Sequence, residues 1–122
     1  MWKKTILCVS LTLLGLVHLP AFGRDIVVRF AKGSYCGSYV GRINPGDTFS
    51  LRLGKDQFLE ITAPPEVDYS VINPRGGIIS GSNPSSPPQV RLFQTGKQAG
   101  VFKVRINRVP YPEGNSFQFC AY

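Results

Sequence analysis

Apolar and polar residues alternate in short runs along most of this chain, and turn-forming residues close each run. The clearest run is residues 48–53, where Phe49, Leu51 and Leu53 fall on one face of an extended strand and Ser50 and Arg52 on the other. Residues 101–108 repeat it, with Phe102, Val104 and Ile106 inward and Lys103, Arg105 and Asn107 outward. In residues 116–122, Phe117 and Phe119 share a face and Cys120 takes the opposite one. Enrichment in Val, Ile, Phe, Tyr and Thr marks five more strands, at 26–30, 38–43, 58–63, 69–72 and 89–93.

Turn chemistry fits between these runs. Asn44-Pro45-Gly46-Asp47 predicts a tight turn, because proline presets φ and glycine accepts a positive one. Leu53-Gly54-Lys55-Asp56 predicts a hairpin, and residues 97–100 a bend before the longest strand. Residues 74–88, rich in proline, glycine and serine, cannot form regular sheet throughout. No helical period and no internal repeat interrupt the pattern. The expected fold is all-β: an antiparallel β-sandwich of about eight strands, with a small barrel as the other architecture such spacing allows.

The first 23 residues depart from this pattern. Lys3 and Lys4 form a basic start, residues 6–17 an apolar run too short to span a bilayer, and Ala21-Phe22-Gly23 offers small residues at −3 and −1. This is the grammar of a cleaved signal peptide (1–23), with Arg24 as the new N-terminus and residues 24–122 as a single domain. A periplasmic or secreted location follows, with no membrane span after cleavage. Removing the leader also removes the chain's one Trp, one Met and one His, together with Cys8.

Two cysteines then remain, Cys36 and Cys120, and an oxidising compartment favours their pairing. A bridge of that span stabilises a small domain by about 4–5 kcal/mol in the chain-entropy picture. Twelve Lys and Arg (the chain's fourteen less Lys3 and Lys4) face seven Asp and Glu, a net charge of +5. Without histidine, neither a Ser-His-Asp or Cys-His arrangement nor a histidine-ligated metal site is possible. The carboxylates Asp47, Asp56, Asp68 and Glu113 lie at turns or loops, Glu60 points outward from a strand, and no closely spaced calcium loop occurs. These absences argue against an enzyme and against a metal or other cofactor.

Binding is the chemistry left. Arg29, Arg42, Arg52, Arg91, Lys103 and Arg105 fall at the outward phase of their predicted strands. Such a face suits an acidic partner or glycan, or simply solvates the sheet and guards its edges. Nucleic acid does not fit an exported chain without aromatic platforms among its arginines. Residues 107–115, NRVPYPEGN, form the best recognition segment: two prolines preorder the backbone around Tyr111, and Arg108 and Glu113 flank it. The same segment also serves as an ordinary connection between the last two strands. Residues 76–88 form a second candidate loop, or a mobile spacer.

The stretch VVRFAKGSYCGSYVGRINPGDTFSLRLGKDQFLEIT resembles the opening of the small periplasmic inhibitors of goose-type lysozyme, and of related bacterial pre-peptidase C-terminal-like modules. The shared features are a strand ending in Phe30, Lys32-Gly33, the Gly41-Arg42-Ile43 strand, an aromatic strand around Phe49, and Gly54-Lys55 before an apolar strand. Gly100-Val101-Phe102-Lys103-Val104-Arg105-Ile106 is similar to the family's penultimate strand. The resemblance implies an eight-stranded sandwich without cofactor or catalysis, whose end loops plug an enzyme's substrate cleft. It also implies an arginine just after the penultimate strand that reaches the catalytic carboxylates. Arg108 lies there, about one position out of register. The family's aromatic in the turn after the second strand is replaced by the shorter Asn44-Pro45-Gly46-Asp47. Expected binding residues are therefore Arg108, Tyr111 and Glu113 on the loop, or Arg52 and Arg105 if the sheet face binds an envelope polymer or acidic glycan. A third expectation is a structural accessory subunit of an extracytoplasmic complex.

Overall fold

A computed structural model describes residues 23–122. The leader reading therefore falls outside the described residues, apart from Gly23. The described chain has nine strands: β1 (Asp25–Val27), β2 (Cys36–Gly41), β3 (Thr48–Leu53), β4 (Phe58–Ala63), β5 (Asp68–Ile72), β6 (Ile78–Ile79), β7 (Gln89–Gln94), β8 (Gly100–Arg108) and β9 (Asn115–Ala121). They form a sandwich of a five-stranded sheet, β1-β3-β8-β5-β6, and a four-stranded sheet, β2-β9-β4-β7. Eight of the strands answer to the predicted runs, and the ninth, β6, is two residues long inside the proline-rich stretch. Every pair is antiparallel except β1 with β3, which run parallel.

Consecutive strands lie in opposite sheets everywhere except at β5–β6. The turn at Leu53-Gly54-Lys55-Asp56 is therefore not the predicted hairpin; it carries the chain from one sheet to the other. The residues suit either use, since Asp56 sits at φ 57° and the Gly54 N–H donates to Gln57 Oε1 at 2.6 Å. What fixes the crossing is a second bridging turn beside it. Thr95 and Gln57 exchange hydrogen bonds through their backbones and the Thr95 hydroxyl, and the Asp56 N–H reaches the Gly96 carbonyl.

The alternation predicted for β3 and β8 is what builds the core. Phe49, Leu51, Leu53, Phe102, Val104 and Ile106 are all buried and face Leu59, Ile61, Phe93, Phe117 and Phe119 from the other sheet. Phe49 is the hub: its ring lies 5.0 Å from those of both Phe117 and Phe119, with Tyr39 edge-on at 5.3 Å. Each such ring contributes about 1.5–3 kcal/mol by leaving water. Cys120, opposite in phase, forms the disulfide with Cys36 directly across β2 and β9, on the outer side of the four-stranded sheet. That bond closes a span of 84 residues.

One predicted outward residue points inward. Arg91 pairs with Ile61 and shares the phase of the buried Phe93, so its side chain starts from the core side of β7. This is tolerable because β7 is an edge strand. The guanidinium lies over the Phe93 and Tyr69 rings at 5.1 and 5.8 Å, and Nε donates to the Ser82 carbonyl at 2.8 Å. Burial pushes the Tyr69 phenol up to about 12, with Arg91 opposing the shift, and its hydroxyl has no hydrogen-bond partner among the described residues.

Candidate functional site

The recognition segment leaves the sheet at one end of the sandwich, where β8 meets β5. There the register slips: Tyr69 pairs with Ile106 but Asp68 pairs with Arg108, leaving Asn107 as the extra residue of a bulge. The bulge re-aims the strand end. Arg108 shares the outward phase of Asp68 and is exposed, and Val109 turns in and is buried. Without the bulge, the inward phase of Val104 and Ile106 would carry Arg108 into the core.

Beyond Val109 the loop is held from beneath. Asn115, 6% exposed, donates both protons of its amide, to the Tyr111 carbonyl at 2.7 Å and the Pro112 carbonyl at 2.9 Å. The Pro112 carbonyl also accepts from the Ile43 N–H at 2.9 Å, and Arg42 pairs with Glu113. Gly114, at φ 68°, makes the return into β9. The result is a backbone held at two successive carbonyls, with an ion pair at the next residue and Tyr111 71% exposed above it. Little ordering is left for a partner to impose.

A neighbouring turn supports the same end. Asn44-Pro45-Gly46-Asp47 closes through the Asp47 N–H on the Asn44 carbonyl, with Gly46 at φ 94°, as predicted. Asp47 is only 1% exposed and accepts from the Arg24 N–H at 2.8 Å, the Asn44 N–H at 2.9 Å and the Arg24 guanidinium at 3.1 Å. Burial raises its carboxyl pKa, but these donors outweigh burial and hold it below the ordinary carboxylate value. Arg24 also donates to the Arg42 carbonyl at 2.7 Å, which ties the segment before β1 to the residue that pairs with Glu113. Asp47 looked like a turn former in the sequence, and Asn115 carried no signal beyond its position after a glycine.

The predicted binding residues divide into two places. Arg108, Tyr111 and Glu113 share the loop end. Arg52 and Arg105 lie on the outer face of the five-stranded sheet, opposite Val101 and Thr48 and about 13 Å apart along the strands. The outward arginines do not make one basic face. Arg29 and Arg42 lie beyond their strands and Arg91 points inward, so Arg52, Lys103 and Arg105 alone share the sheet surface. Beside them, Asp25, Val27, Arg29, Phe30, Arg52 and Lys103 line an open groove of about 740 Å³. Asp25 puts a carboxylate into it, held below its usual pKa mainly by the Ser50 hydroxyl, with Thr48 and Lys103 adding to the effect. The groove thus carries both signs of charge, and suits a polyanion poorly. Among the described residues, no group of three or more His, Cys, Asp or Glu side chains is placed to hold a metal ion.

Neither the models of known protein families nor the curated proteins contain a match to this sequence. Solved structures do. A mutant of a periplasmic lysozyme inhibitor of g-type lysozyme from Escherichia coli matches with a TM-score of 0.62 at 15% identity, over 82% of this chain and 99% of that one. The corresponding inhibitor from Aeromonas hydrophila matches with a TM-score of 0.51, also at 15% identity, over 83% of this chain and 98% of that one. The chain has the fold of these inhibitors. Coverage of almost the whole of both neighbours means that the resemblance read from the sequence extends to the complete sandwich. At 15% identity it carries the architecture, and the chemistry of the loop end rests on this chain's own residues.

Proposed function

We propose that this protein is an exported, non-enzymatic inhibitor of a goose-type lysozyme, acting in the periplasm through the end of the sandwich that carries Arg108 and Tyr111. One observation carries the reading. Of the three guanidiniums at this end, Arg24 is paired with Asp47 and Arg42 with Glu113, while Arg108 is exposed with no carboxylate in salt-bridge range among the described residues. It is therefore the cation available to a partner.

In an enzyme's cleft, that guanidinium would meet a catalytic carboxylate with parallel N–H donors. It would occupy the substrate's place and hold the acid ionised, the wrong state for protonating a leaving group. Tyr111, on its braced loop, supplies broad contact area at small entropic cost. Glu113 is engaged by Arg42 and acts as a brace for the loop. The inhibitor fold and the periplasmic setting of its structural neighbours support the reading.

The test is residual activity of a goose-type lysozyme titrated with purified protein. Near-stoichiometric inhibition is expected, weakened at least about thirtyfold by Arg108→Ala, the lower end for truncating a buried interfacial charge. The double variant Arg52→Ala, Arg105→Ala should inhibit like the wild type. No inhibition at micromolar protein, or sensitivity to the sheet-face pair alone, overturns the proposal.

A further inference from the structure

We propose that the Gly23–Arg24 bond is a processing site whose product the fold is built to receive, cleavage leaving the Arg24 α-ammonium on the buried carboxylate of Asp47. The nitrogen in question is already in place: Arg24 N lies 2.8 Å from Asp47 Oδ1, and the Thr48 N–H on the Arg24 carbonyl fixes the register at 2.9 Å. A cut one residue to either side would move the new amine by about 3.8 Å, out of hydrogen-bond range. Gly23 supplies the small residue that a signal peptidase needs at −1.

The reaction is amide hydrolysis by a leader peptidase. Water adds across the Gly23–Arg24 bond, Gly23 leaves as a carboxylate with the leader, and the Arg24 amine takes up a proton at neutral pH. An N–H that donates as a neutral amide thereby becomes a cation on a carboxylate that is 1% exposed. Asp47 is the facing anion, and the facing cation is the Arg24 guanidinium itself. Of the surrounding elements, β2 contributes the Tyr39 hydroxyl, bonded to the Arg42 carbonyl, and β8 only the uncharged Ile106 backbone. Arg42 is paired with Glu113, and Asp25 of β1 is turned to Thr48 and Ser50. Because Arg24 also binds the Arg42 carbonyl, the processed terminus is linked through Arg42 to Glu113 of the Tyr111 loop. This inference stands apart from the lysozyme reading and survives its failure.

The test compares the full chain, exported and processed, with a form carrying one extra glycine between Gly23 and Arg24, so that cleavage leaves Arg24 N as an amide. Mass determination should show the first beginning at Arg24, and any other terminus overturns the proposal. In urea unfolding at pH 6, the folding equilibrium constant of the native form should exceed that of the extended form about tenfold. A carboxylate partner would raise the α-amino pKa in the folded state, so the advantage should be complete below the unfolded value of about 7.7–8.0 and be lost as pH rises beyond the folded value. Equal constants at pH 6, or a gap unchanged by pH, refute it. Asp47→Asn should abolish the gap at every pH, and if that variant fails to fold, the glycine-extended pair still decides.

Discussion

Asn115→Ala is the sharpest test of the claim that the Tyr111 loop is held from beneath. The side chain is buried and donates two hydrogen bonds, of 2.7 and 2.9 Å, to successive loop carbonyls. Each contributes about 0.5–1.5 kcal/mol net, and the truncation leaves the Tyr111 carbonyl without the one side-chain donor it has. A loss of about 2 kcal/mol is expected. Spread over an ordinary urea slope for a domain of this size, it lowers the unfolding midpoint by about 1 M. Amide exchange should speed up most at Tyr111, Glu113 and Gly114, while the β3 and β8 amides lose only the roughly thirtyfold protection that the global loss itself accounts for. If the loop binds, lost preorganisation weakens inhibition about tenfold more, seen as faster dissociation. A change below about 0.5 kcal/mol with unaltered exchange at 111–114 would mean that water satisfies these carbonyls and that the clamp is incidental.

Other expected outcomes follow from the fold. Gly37→Ala should destabilise by about 1–3 kcal/mol in thermal unfolding, because a Cβ there meets the Arg29 carbonyl at 2.8 Å and Val28 at 2.9 Å. Replacing Cys36 and Cys120 together with serine should cost about 4–5 kcal/mol by denaturant titration, the loop-closure value for an 84-residue span. Tyr69→Phe should be neutral or slightly stabilising at pH 7, since the hydroxyl has no partner. It should also flatten the alkaline limb of a pH–stability curve. The phenol's folded pKa is raised to about 12, so its contribution is full below about pH 10 and is lost between there and about pH 12.

Strand positions and core faces were legible because a strand's inward residues must be apolar in period two. Phe49, Leu51 and Leu53 and their counterparts on β8 show this directly. Partnership was not legible. Leu53-Gly54-Lys55-Asp56 has the chemistry of a hairpin, yet the choice between pairing with the next strand and crossing to the other sheet rests on contacts with Thr95 and Gly96, about forty residues away. Arg91 defeated the polarity pattern because an edge strand lets a long side chain start inward and still reach water. Arg108 was singled out by its place at the end of the penultimate strand, but its outward aim depends on a bulge set by the β5 register. Asp47 and Asn115, which brace the loop end, read as turn residues because their partners are backbone groups of other segments.

The most direct measurement is the footprint of a goose-type lysozyme on this protein, taken from backbone amide chemical shifts as the enzyme is added. Perturbations are expected at residues 42–47, 64–68 and 108–114 alone, with the outer face of β3 and β8 around Arg52 and Lys103 unmoved. Perturbations centred on that face or on the groove beside β1, or none at a stoichiometric excess of enzyme, would contradict it.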